Sequence, residues 1–427
     1  MKQAATLLIR KARVLDPATQ RDEVLDVLIE QGRLTRLGAS LEAPGVDIIN
    51  AEGYWLLPGL VDTCLHLSEP GHRYSGTIAS ETRAAAKGGI THLCAQPDTD
   101  PVVDSDAVTR LIIDRAEKAG FARVLPLGAL TRQLEGQQLA EMHSAREAGC
   151  IGVSNGKVPV ENTLVLKRCL EYAATFNIPV FFQPQDAALS AKGCAHDGPI
   201  AARLGLPSIP VVAESVSLVR MLELVAVTGV RAHFQQISSA RGVALIREAK
   251  ARGLSVSADV SIHHLLLDEN AIAEFDSTCK LLPPLRAASD RSALIAGVAD
   301  GTLDAICSQH MPLSSAHKQV PFPSARPGIS GVETLLPLVL RLVAEQQLPL
   351  MRALDAITAA AARCLGQPVG ALEPARPASL TLVAPSSRWS PQLEWLSAGQ
   401  NSPWRQQDLT GKPVLTLCEG VVTWQAI

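Results

Sequence analysis

From about residue 59 to residue 310 one unit recurs: a short apolar run, a polar loop, then a stretch whose apolar residues have helical spacing. Eight strand candidates carry this rhythm: GLVDTCLH (59–66), THLCAQ (91–96), RVLPLG (123–128), CIGVS (150–154), PVFFQ (179–183), RAHFQQ (231–236), LSVSADV (254–260) and DAICS (304–308). Stretches such as ENTLVLKRCLEYAATF and SVSLVRMLELVAVTG, between the strands, read as amphipathic helices. Eight alternating units over about 300 residues argue for an α/β chain built on a (β/α)8 barrel. Periodicity alone leaves a doubly wound open sheet as the alternative. In the barrel, chemistry belongs to the C-terminal ends of the strands.

Both ends of the chain read differently. TLLIRKARVLD and EVLDVLIEQGRLTRLG are short β-runs with a turn at Gln31-Gly32, and KPVLTLCEGVVTWQ alternates around Glu419-Gly420. We expect a small β-sandwich domain assembled from residues 1–57 and 368–427, flanking a barrel over residues 58–367. A chain of 427 residues with 47% hydrophobic and 19% charged side chains can bury both cores. The net charge of −3 gives no basic face for nucleic acid or an anionic membrane. No apolar run approaches the roughly 20 residues a membrane span needs, and the N-terminus does not read as a signal peptide. Nine scattered cysteines without a C-x-x-C pair suit a reduced, cytoplasmic protein. Cys94, Cys150 and Cys307 lie in apolar runs, as small buried hydrophobes do.

The strand ends, read in order, present His66, Asp98, Ser154-Asn155, Gln183, Gln236, His263-His264 and Gln309-His310. The series is polar yet poor in metal ligands. DTCLHLSEPG (62–71) poses the question most sharply. An H-x-H pair would put a second His where Cys64 stands. Cys64 and His66 could hold zinc only with a further ligand, and His233, His263 or His264 are the choices.

The chain resembles the dihydroorotase family of the amidohydrolase superfamily. The resemblance rests on LPGLVDTCLHLSEPG, ETRAAAKGGITHLCAQPDTDPVVDS, HHLLLDE, KLLPPLRAASDRSALIAGVADGTLDAICSQHMP and PGISGVETLLPLVL, in family order and spacing across nearly the whole chain. It implies a distorted barrel carrying one or two zinc ions and the cyclisation of carbamoyl aspartate. It also implies which positions should do the work. The first-strand metal pair falls on Cys64 and His66. The Arg that grips the substrate carboxylate falls on Ser68, and the substrate-binding Asn on Asp98. The metal-bridging carboxylate falls nearest Asn155. The metal His residues of the fifth and sixth strands fall on Gln183 and Gln236. The Asn before the Pro pair falls on Leu282, and the last-strand Asp, ligand and general acid/base, on Gln309. His263, His264, Arg286 and His310 remain.

The replacements bear on the chemistry. Opening or closing an amide-like ring this way requires a Lewis acid and, for hydrolysis, a metal-activated hydroxide. Gln183 and Gln236 offer neutral amide oxygens where zinc prefers imidazole or carboxylate. Gln309 cannot shuttle a proton near neutral pH. Ser68 lacks the bidentate grip of Arg on a carboxylate, and Asp98 sets negative charge before an anionic substrate. A neutral amide, however, both donates and accepts hydrogen bonds, so it can close a network that an ion formerly held together. The expectation is a catalytically inactive barrel without metal or cofactor. By resemblance, it would assemble with the catalytic chain of aspartate transcarbamoylase in pyrimidine synthesis. The alternatives are an active cyclic-amide hydrolase of dihydroorotase, hydantoinase or allantoinase type, with Asp98 or Asp259 as acid/base, and a metal-free module that senses a metabolite. His263, His264 and His310 read as hydrogen-bonding residues at the mouth, Arg286 as part of a loop or interface, and the GKVPVENT and RPASLTL stretches as solvated connections.

Overall fold

The structure, a computed structural model, describes residues 4–427. The eight expected strands all form: Leu60–Leu65, Ile90–Ala95, Arg123–Ala129, Gly152–Ser154, Val180–Phe182, Ala232–Phe234, Val256–Ser261 and Ala305–Cys307. They pair in parallel in chain order. The first and last meet through a Leu65–His310 bridge, with His66 N donating to His310 O at 2.8 Å. The sheet is therefore a nearly closed barrel, and the open-sheet alternative falls.

Val61, Leu125, Leu127, Ile151, Phe181 and Ala305 fill the N-terminal end of the barrel, packed against Ala361, Ala362 and Leu365. That end is closed by the helix Ala359–Cys364 and the segment before it, where Val61 N and Ile306 N donate to Ile357 O and Ala356 O. Sealing one end with apolar side chains leaves the other end for polar ones.

The strands from both termini form one eight-stranded sheet. Trp55–Pro58 lies between the N-terminal strand Leu7–Asp16 and the C-terminal strand Leu380–Trp389, joining the two halves. The sheet curls until its ends meet, since Arg33 bridges Pro377 and Ala4 bridges Val421. Leu7, Ile9, Val27, Ile29, Leu56, Leu382 and Leu415 are buried within the curl. Gln31-Gly32 and Glu419-Gly420 are the two turns, all four residues with positive φ, as tight hairpins require. A Cβ on Gly420 would sit 2.3 Å from Gly32 O, so the contact between these turns demands glycine. RPASLTL is not a solvated connection: Ala378, Leu380 and Leu382 are buried in this core. Its Arg and Pro suggested a loop, but the alternation that follows belongs to a central strand.

Two segments were not expected. After the fifth strand, residues 187–209 form two short helices and a two-stranded ribbon, Ala195–His196 with Ser208–Ile209. Residues 395–404 leave the terminal sheet and return to the barrel mouth. Among the described residues no helix is long and apolar enough to cross a membrane.

Candidate functional site

The mouth is organised by a chain of amides. Gln236 Nε2 donates to Cys64 Sγ at 3.0 Å, and Gln96 Nε2 approaches the same sulfur at 3.4 Å. Gln236 Oε1 accepts from Gln309 Nε2 at 2.9 Å, and the same amide donates to Leu282 O at 3.0 Å. Gln183 Nε2 reaches that carbonyl too, at 3.2 Å. Gln236 and Gln309 both hold positive φ, 57° and 49°. This conformation is uncommon for residues other than Gly, Asn and Asp, and it occurs here just beyond the sixth and eighth strands. Gln236 is fixed there because its backbone N–H donates to Asp259 Oδ1 at 2.7 Å.

His66 stands beside this chain. Its Nδ1 is 2.8 Å and 3.0 Å from the two Asp98 oxygens, and its buried Nε2 has no partner among the described residues. Burial opposes ionisation of Asp98, but contact with His66 and the charge of Lys157 outweigh it and hold its pKa near 2. Burial likewise pushes Cys64 well above the ordinary thiol range, with Asp259 adding to the effect. Cys64 is therefore a neutral thiol that accepts hydrogen bonds.

The other candidates are committed elsewhere. Asn155 accepts from Thr131 Oγ1 at 2.6 Å and donates to Leu134 O and Val158 O, so it braces its own loop. His233 Nε2 lies 3.0 Å from Asp259 Oδ2, and its Nδ1 is bonded to Ser257 at 2.8 Å. Burial works against charge on His233, but Cys364 and Asp259 prevail and raise its pKa to about 10. Asp259 also accepts from Thr63 Oγ1 at 2.5 Å. His263 Nδ1 accepts from Trp404 Nε1 at 3.1 Å, and His264 Nε2 lies 3.3 Å from Pro284 O. Burial drives their pKa values down to about 3 and about 4. His310 Nε2 is 3.0 Å from Glu81 Oε2. Arg286 donates to Ile209 O at 2.7 Å and Ser238 Oγ at 3.2 Å, tying the ribbon of residues 195–209 to the sixth-strand loop. Ser68 is partly exposed.

The zinc that the family resemblance implies does not fit these residues. Its ligands should be imidazole, thiolate or carboxylate in one shell. Among the described residues no three His, Cys, Asp or Glu side chains gather as a metal site. Around Cys64 stand amide nitrogens, which are donors and cannot ligate.

Sequence reasoning missed three contributors. Glu81, on the helix Ile78–Lys87 that Thr77 caps, binds His310, Ser397 Oγ at 2.6 Å and Ala398 N at 3.0 Å. Asn401 donates to Met311 O and Gly328 O, each at 3.0 Å. Lys157, placed on a supposed solvated stretch, instead reaches across the mouth to Met311 Sδ at 3.3 Å. Gly156 sets that loop directly against Asp98. A lysine after an Asn-Gly turn reads as surface, and only the closed barrel shows where it points.

A family model described as "Dihydro-orotase-like" matches residues 53–241. A dihydroorotase-like protein of Pseudomonas aeruginosa is 44% identical over 98% of this chain and 99% of its own length. The chain belongs to the dihydroorotase-like family. Another relative, a protein of Syntrophotalea carbinolica named dihydroorotase, is 40% identical over 98% of this chain and 99% of its own. Among solved structures, an L-hydantoinase of Arthrobacter aurescens superposes with a TM-score of 0.87 at 22% identity, covering 100% of this chain and 97% of that one. A dihydropyrimidinase of Brevibacillus agri gives 0.82 at 20% identity, covering 100% and 95%. At that identity the likeness speaks to the fold alone, a (β/α)8 barrel with a terminal β-sheet domain.

Proposed function

We propose that this chain is a catalytically inactive dihydroorotase homologue. In this reading it acts in the cytoplasm as an assembly subunit for the catalytic chain of aspartate transcarbamoylase in pyrimidine biosynthesis. One observation carries the inactivity: the series Cys64, Gln236, Gln309 and Leu282 O is bonded within itself where a metal and its ligands would be needed. A neutral amide there supplies neither a Lewis acid nor a titrating group. The partner rests on the family resemblance alone. A second reading, an active cyclic-amide hydrolase with an altered site, draws on the full-length relatives named dihydroorotase.

The test is metal content and dihydroorotase turnover of the purified chain with added zinc, beside co-expression with the transcarbamoylase chain of the same organism. The proposal expects no stoichiometric metal, no turnover, an unfolding midpoint unmoved by chelator, and one co-eluting complex. About one zinc per chain with turnover sustains the second reading instead. Absence of a complex removes the assembly role.

A further inference from the structure

Two lysines are buried in the loops that follow the seventh and eighth strands, and each is spent on the other's loop. Lys280 and Lys318 are 6% and 7% exposed. Lys280 Nζ donates to Phe322 O at 2.8 Å and Pro323 O at 2.9 Å, and lies 5.3 Å from the centre of the Phe322 ring. Lys318 Nζ donates to Ser277 O at 2.8 Å and reaches Lys280 O at 3.5 Å. Ser277 Oγ returns a bond to Lys318 O at 2.7 Å, and Gly328 N donates to Lys280 O at 2.9 Å. This clamp lies two residues from Leu282, whose carbonyl takes the Gln309 and Gln183 amides. The acceptors it uses are neutral carbonyls. The charged and titratable groups that bear on Lys318 are Lys280, Cys279, Asp276 and Lys157. Asp276 is engaged by Thr278 N at 2.8 Å, Thr278 Oγ1 at 2.6 Å and Cys279 Sγ at 3.6 Å. Burial first, and then repulsion from Lys280, bring Lys318 down to about 7.

We propose that this clamp is a pH-sensitive latch beside the barrel mouth, holding the two loops together while Lys318 is neutral and loosening when it is protonated. Loss of the proton costs no bond, because a neutral amine still has two hydrogens for the two carbonyls. It removes the second of two ammonium charges from a buried site. Opening of the loops returns Lys318 to the ordinary lysine value of about 10.4. Between about 7 and that value the open state binds more protons, so closure strengthens as pH rises through this range. Below about 7 both states are protonated, and the cost of the buried charge is present in full. From pH 6 to pH 8 the opening constant should fall about tenfold. The latch needs no metal, turnover or partner, so it stands or falls apart from the function proposed above.

The experiment is amide hydrogen exchange of the full chain at pH 6 and pH 8, corrected for the intrinsic pH dependence of exchange. It is read on peptides covering residues 276–280 and 315–328. The expected result is protection about tenfold greater at pH 8 in both peptides, with the barrel strand Val180–Phe182 unchanged as the control. Lys318→Met carries no charge at either pH and Lys318→Arg carries one at both, so each should abolish the difference. Equal protection at the two pH values in the parent, or a pH step that persists in Lys318→Met, overturns the proposal.

Discussion

Gln309→Glu changes the mouth by one group without changing its shape. The NH2 that now donates to Gln236 Oε1 and Leu282 O becomes an oxygen facing two acceptors, 2.9 Å and 3.0 Å away, in a residue only 2% exposed. Gln236 can rotate its amide to offer a donor, but only by releasing Cys64 Sγ, and the Leu282 carbonyl cannot turn. Two lost hydrogen bonds cost about 1 kcal/mol each. A buried carboxylate without a cation adds more, and the total at pH 8 is about 3–5 kcal/mol. Burial raises the folded-state pKa of the new carboxyl above its unfolded value of about 4.3. The penalty is therefore absent below that pH and grows as pH rises through the folded-state pKa. At pH 4.5 the protonated group still donates to one acceptor, leaving a loss of about 1 kcal/mol. Urea unfolding followed by circular dichroism at pH 4.5 and pH 8, parent beside variant, measures both. The destabilisation should be larger at pH 8 by about 2 kcal/mol or more. A variant as stable as the parent at pH 8, or equally destabilised at both values, refutes the claim that the Gln309 amide is held by these two acceptors.

His310→Ala leaves Glu81 buried without its imidazole partner. Removing a hydrogen bond to a buried carboxylate costs about 1.5–3 kcal/mol. Denaturant unfolding reads the loss, and a change below about 1 kcal/mol would show that Ser397 and Ala398 suffice. Asp62 is wholly buried, and burial, against hydrogen bonds from Ser308, raises it from 3.8 to about 6. Its contribution to stability is complete below pH ~4 and fades as pH rises through about 6, a span of about 3 kcal/mol. Asp62→Asn should flatten the stability profile across that window, and an unchanged slope between pH 4 and 7 would assign the titration to another group.

How much of this was legible in the sequence follows from which interactions are local. Strand positions were readable because burial on both faces of a parallel strand leaves near-continuous apolar runs such as RVLPLG and PVFFQ. The turns at Gln31-Gly32 and Glu419-Gly420 were readable because positive φ restricts which residues can stand there. The identity of the mouth residues was readable as well, since each strand end is one step from a strand. Their bonding was not. Nothing in the spacing of Cys64, Gln236 and Gln309 says that the amides bond to one another in series, because the contacts span 73 and 172 residues. Trp404, Asn401 and Ser397 were invisible for the same reason: they belong by sequence to the terminal sheet and by packing to the barrel. Lys157 shows the converse error. Its neighbours Asn155, Gly156 and Pro159 are turn formers, and turns usually face solvent. In a barrel the loops after the strands are the walls of the mouth, so there a polar loop residue points at the site as readily as at water. A solvated reading of such loops is the wrong default once eight strands have been counted, and Lys157 is where that default concealed a charge.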